Sequence, residues 1–154
     1  GRPGARLHLV YGEAPMLGAV ERVCAGSDAL RESVRFVGGV PHGELPSWYS
    51  AADLFLTSSA SEGSNWALLE AMACGLPAVA TDIPANRRVG GPGTSFFPPG
   101  DAEAGAEAIV AAARAAGPRG AALAGHFERR LSWSVVAGEA LAAYRRALER
   151  RTTA

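Results

Sequence analysis

Ser61-Glu62-Gly63-Ser64-Asn65-Trp66-Ala67-Leu68-Leu69-Glu70-Ala71-Met72-Ala73-Cys74-Gly75-Leu76-Pro77 sets a loop carboxylate, a helix start and a second carboxylate in sequence. Ser64 reads as an N-cap, Gly75 as the residue just past the C-cap and Pro77 as a stop, which predicts a helix over 65–74. The apolar residues Trp66, Leu69, Met72 and Ala73 recur at helical spacing and are expected to face a core. Glu70 then lies about six residues in, roughly 9 Å along the axis. Glu62 stays outside, beside the unpaired first-turn N–H groups.

Such a layout suits an elongated anion. The helix N-terminus offers backbone donors and a partial positive charge to a phosphate or pyrophosphate. A carboxylate on either side can accept hydrogen bonds from hydroxyl groups of a sugar and a ribose. A nucleotide-sugar has that order of parts: sugar, pyrophosphate, ribose, base. A lone Glu-x7-Glu pair is more often two unrelated surface acids, so the neighbouring words decide.

Those words resemble one family. Glu62-x7-Glu70 followed by Ala71-Met72-Ala73-Cys74-Gly75-Leu76-Pro77-Ala78-Val79-Ala80-Thr81-Asp82 is similar to the donor-site signature of family-4 retaining glycosyltransferases, which have the GT-B fold. Upstream, Val34-Arg35-Phe36-Val37-Gly38-Gly39-Val40-Pro41-His42 and Leu45-Pro46-Ser47-Trp48-Tyr49-Ser50-Ala51-Ala52-Asp53-Leu54-Phe55-Leu56 resemble the base-binding strand and the helix–strand pair after it. Downstream, Phe97-Pro98-Pro99-Gly100-Asp101 and the pattern of Phe127, Ser132, Trp133 and Tyr144 also look like the family. The resemblance covers residues 7–148.

Composition narrows the classes. The chain has 154 residues, nearly half of them apolar, and zero formal net charge. That length suits one domain, 1–154, with a core of its own. Neither a nucleic-acid-binding patch nor an apolar run of membrane-spanning length stands out. All fifteen basic residues are arginine, so this chain supplies no P-loop lysine, Schiff-base lysine or Ser-Lys dyad. The arginine bias also fits a GC-rich bacterial genome. Cys24 and Cys74 fall in separate predicted helices and read as small buried residues, with Cys74 and Met72 facing the core. That cysteine usage favours a reducing interior.

Strand and helix signals alternate. Strands are expected at 7–11, 34–37, 54–57, 78–81 and 94–97, and helices from after Pro15 to about 25, at 45–52 and at 133–150. Asp101 is expected to cap a helix running to about Ala116, with Glu103 in its first turn. This alternation predicts an α/β fold, a Rossmann-like parallel sheet with helices on both faces. In such sheets ligands bind beyond the carboxyl ends of strands, where Glu62 and His42 both fall.

The resemblance implies the rest. The domain corresponds to the C-terminal half of a GT-B enzyme whose first strand is missing from this sequence, as is the N-terminal acceptor domain. Glu62 faces the transferred sugar and supports the charge that develops as the glycosidic bond breaks. Gly63, Ser64, Asn65 and Trp66 present backbone N–H groups to sugar and pyrophosphate, and Gly63 allows close approach because it has no Cβ. Glu70 binds the ribose 2′ and 3′ hydroxyls. Val40, Pro41 and His42 contact the base and Leu45 packs against its ring. His42 has no catalytic part.

The donor is UDP-, GDP- or ADP-linked, with no separate cofactor and no metal, and the absence of an Asp-x-Asp motif agrees. The partners implied are the nucleotide-sugar, an acceptor sugar, lipid or other hydroxyl compound, and the acceptor domain; nucleic acid is not among them. The implied location is cytoplasmic, with peripheral contact at the inner membrane face left open by the arginines Arg145, Arg146, Arg150 and Arg151. Arg2 and Arg6 match no motif. Arg87 and Arg88 read as a solvated turn, and Arg88 stands where the family commonly has an acid. Two other functions stay open: a nucleotide-sugar epimerase, and a non-catalytic nucleotide-binding module.

Overall fold

The structure, a computed structural model, describes residues 4–115 and 120–152, with only the backbone of 151 and 152. Arg2, Ala116 and the Arg151 side chain, all named above, lie outside the described residues. The chain divides into two units, Gly1–Leu45 and Pro46–Ala154.

In the first unit β1 (Leu7–Val10) pairs in parallel with β2 (Val34–Gly38), Leu7 opposite Val34 and Leu9 opposite Phe36. A parallel pair needs a crossover, here made by α1 (Leu17–Ala25) and α2 (Asp28–Ser33). Cys24 on α1 is buried, as expected. Gly38 takes φ +82° where β2 ends, and a single 3-10 turn, His42–Glu44, follows.

The second unit begins within α3 (Leu45–Ala51). Three parallel strands follow in the order β3 (Phe55–Thr57), β4 (Ala78–Thr81) and β5 (Thr94–Phe97). Every residue of β4 is buried, as suits a parallel strand covered by helices. Its alanines leave room for those helices. α4 (Trp66–Ala73) lies against β3 and β4, and α6 (Ala102–Arg114) against β4 and β5. α5 (Pro84–Val89) follows β4; α7 (Ala121–Arg130) packs on α4, and α8 (Trp133–Thr152) on α7. Leu68, Met72, Ala78, Ala80, Val89 and Leu123 form the core. The expected parallel α/β architecture is present, with the strands hydrogen-bonded as two ladders.

Several details differ from expectation. Asn65, not Ser64, caps α4: its Oδ1 accepts from the Leu68 N–H at 3.1 Å. The buried face of α4 is Leu68, Ala71 and Met72, while Trp66, Ala73 and Cys74 are exposed. The cap decides this: once Asn65 is drawn inward, the residue after it must point outward. Trp66 instead stacks on Trp133, centroids 5.8 Å apart. Gly75 behaves as expected. It takes φ +69°, its N–H donates to the Met72 carbonyl and that of Leu76 to Ala71, a Schellman closure. Asp101 caps α6 as expected, accepting from the Ala104 N–H at 2.9 Å. Arg87 and Arg88 lie on α5 rather than in a turn. α2 and α5, six residues each, are too short to show an apolar period, and α7 starts without a capping side chain.

Candidate functional site

Thr57 and Thr81 are the last residues of β3 and β4, which run parallel, so both stand at the carboxyl edge of the sheet. Between Thr57 and α4 the chain makes the loop 58–65, which carries Glu62 and Gly63. Glu62 is half-buried and makes no hydrogen bond or ion pair among the described residues. A Cβ built at Gly63 would meet nothing within 4 Å, so open space lies over that peptide.

Four buried or half-buried polar side chains fasten this loop. Asn65 is 3% exposed and its Nδ2 donates to Asn86 Oδ1 at 3.0 Å and to Thr57 Oγ1 at 3.2 Å. Asn86 is fully buried on α5, and its Nδ2 donates to the Thr81 carbonyl at 2.9 Å and to Thr81 Oγ1 at 3.2 Å. Thr81 Oγ1 in turn donates to the Ser59 carbonyl at 2.5 Å. Both amide hydrogens of each asparagine are therefore used. No buried side-chain nitrogen or oxygen lacks a partner among the described residues, so the network offsets its desolvation.

The first turn of α4 is only partly open to a ligand. Asn65 occupies the Leu68 N–H, and the Trp66 N–H donates to the Ser64 carbonyl at 3.0 Å. The Trp66 amide is thus engaged within the turn. The amides of Gly63 and Ser64 precede it on the exposed side of the loop.

Glu70 lies half-buried on α4, and its Oε2 accepts from the Tyr49 hydroxyl at 3.0 Å. Tyr49 reaches it from α3, its ring set edge-on to Phe55 at 6.0 Å. Burial, then the hydrogen bond to the Glu70 carboxylate and its charge, push the phenol well above the ordinary value of 10.0. Tyr49 therefore stays a donor and holds Glu70 in one orientation.

Val40, Pro41, His42 and Leu45 belong to the first unit, after β2. Pro41 and His42 are exposed, Val40 and Leu45 half-buried, and the Glu44 N–H closes the turn on the Pro41 carbonyl at 2.8 Å. Sequence reading passed over Tyr49, Thr57, Ser59, Thr81 and Asn86 as site residues. One signal existed: an asparagine inside a helix competes with the backbone for hydrogen bonds and needs a reason to be there.

A profile of the glycosyl transferases group 1 family matches residues 2–114. The phosphatidyl-myo-inositol mannosyltransferase of Mycobacterium leprae is 34% identical over 132 residues, 82% of this chain and 35% of that enzyme. The mannosylfructose-phosphate synthase of Agrobacterium fabrum is 42% identical over 87 residues, 51% of this chain and 19% of its own. Among solved structures, sucrose-phosphate synthase from Thermosynechococcus elongatus superposes with a TM-score of 0.81 at 28% identity, covering 97% of this chain and 40% of that one. The chain thus spans about a third of the length of the mycobacterial enzyme. With its parallel α/β architecture and a family match over most of its length, the chain belongs to the glycosyl transferases group 1 family.

Proposed function

We propose that this chain is the nucleotide-sugar-binding domain of a family-4 retaining glycosyltransferase, acting with an acceptor-binding domain to move a sugar to a hydroxyl without a metal. The amides of Gly63 and Ser64 and the positive end of α4 meet the sugar and diphosphate, and Glu62 stands beside the sugar as positive charge develops. Glu70, oriented by Tyr49, takes the ribose hydroxyls. Val40, Pro41, His42 and Leu45 are assigned to the base on the resemblance of their loop to that of the family. The acceptor oxygen attacks from the face the diphosphate leaves, and the departing phosphate takes its proton. The sugar is retained in configuration because bond making and breaking share one face.

One observation carries this reading: a loop with a carboxylate and an open glycine peptide is pinned by buried side chains to the carboxyl ends of two parallel strands. That is where ligands of such sheets bind. The names of similar enzymes make mannosyl donors the first to test.

Titration calorimetry with UDP, GDP and ADP tests the donor site. One nucleotide is expected to bind, and Glu70→Ala to weaken it about ten- to a hundredfold, the range for hydrogen bonds to a charged group. Undiminished affinity in that variant would sink the ribose assignment. The 154-residue chain alone is expected to transfer no sugar. Turnover by it, measured as product with an added acceptor, contradicts the need for a second domain.

A further inference from the structure

We infer that Asn86 is a positioning residue for the donor loop, holding Glu62 and the Gly63 peptide in place without touching a ligand itself. The inference rests on the donor-site reading above. Asn86 is fully buried on α5, yet its hydrogen bonds reach both ends of the loop. Toward one end it bonds Thr81, whose hydroxyl donates to the Ser59 carbonyl. Toward the other it accepts from Asn65, which caps α4 through the Leu68 N–H. Ser59 and Asn65 bracket Glu62 and Gly63 in the chain.

The pattern has one sense only. The Asn86 amide gives both hydrogens to Thr81 and uses its oxygen to accept from Asn65. Turning that amide over would set its NH2 against the Asn65 NH2 and its oxygen against the Thr81 carbonyl. Each link therefore fixes the next, from a loop carbonyl through strand β4 and helix α5 back to the first turn of α4. Glu62 has no tether of its own among the described residues, so its place follows from the two ends of its loop.

Asn65 belongs to the proposed binding set; Asn86 and Thr81 do not, which makes them the residues to change. In Asn86→Ala, amide hydrogen exchange in the loop and at Leu68 is expected to rise about five- to tenfold, as loss of a buried hydrogen bond implies. Exchange in β4 and β5 stays slow. The affinity for whichever of UDP, GDP or ADP the wild-type chain binds is expected to fall by a similar factor. Thr81→Val, nearly isosteric, gives the same pattern in a variant that keeps the core filled, and Thr81→Ser restores the wild-type behaviour. Leu123→Ala, a core truncation on α7, lowers stability without changing nucleotide affinity, so general destabilisation does not mimic the effect.

Unchanged loop exchange in both Asn86→Ala and Thr81→Val overturns the inference. So does a loosened loop that binds the nucleotide as tightly as wild type. If Glu70→Ala leaves nucleotide affinity intact, the donor site itself is misplaced, an outcome that the Asn86 variants do not produce.

Discussion

Tyr49 joins two elements through one hydroxyl, and its chemistry is measurable apart from any ligand. The chain has three tyrosines. Because burial and Glu70 stabilise the neutral phenol of Tyr49, its folded-state pKa lies above the unfolded one. The sign follows: the stabilisation is complete below the unfolded value and is lost as pH rises through the folded one. Ultraviolet titration is expected to show a late phase of tyrosine ionisation, and Tyr49→Phe to remove it. The same variant takes one hydrogen bond from the Glu70 carboxylate, and nucleotide affinity is expected to drop about fivefold, as for one net hydrogen bond. Asp82 shows the opposite sign. Two hydrogen bonds from Arg87, at 2.6 and 2.7 Å, hold its carboxyl below the ordinary 3.8. Its contribution is present above that value and fades as pH falls through the lowered one, so the stability gap between wild type and Asp82→Asn should close in acid.

At the level of elements, the ends of α4 were partly legible in sequence and its face was not. Gly75 announces the C-terminus because only a residue without Cβ adopts φ +69° at no cost there. A second reason appears only in three dimensions: a Cβ at Gly75 would lie 2.7 Å from the Cα of Gly120, which precedes α7. Gly75→Ala is therefore expected to destabilise by about 2 kcal/mol or more, from backbone strain plus the clash, as read by urea unfolding. At the N-terminus Ser64 was the expected cap, and the adjacent Asn65, chemically as able, takes the place. Burial chose between them, since Asn65 alone reaches Asn86 and Thr57 while capping. That choice turned Trp66 outward and Leu68 inward, and no local pattern could have told it. α8 shows a related limit: its period predicts an amphipathic helix, yet Trp133, Leu141, Tyr144 and Leu148 remain exposed.

In the whole molecule, burial is uneven. Among the described residues of the first unit only Cys24 is buried, whereas the second holds the core around Leu68, Met72 and β4. Leu68→Ala, at a site with no exposure, is expected to cost about 2–5 kcal/mol of unfolding free energy. Amides of β1 and β2 are expected to exchange faster than those of β4, because protection follows burial. No helix among the described residues is long and apolar enough to cross a membrane. The five strands, the helices α1, α3, α4, α6 and α8, the caps at Asp101 and Gly75 and the loop carrying Glu62 could be read from sequence, because each is set by residues a few positions apart, and the alternation of strand with helix implied the parallel pairing. Tertiary structure alone decided which asparagine turns inward, which face of α4 is buried, and that Tyr49 meets Glu70 and Asn86 meets Asn65. Those pairs stand 21 residues apart, and only the packing of separate helices on a shared sheet brings their polar atoms within hydrogen-bond reach.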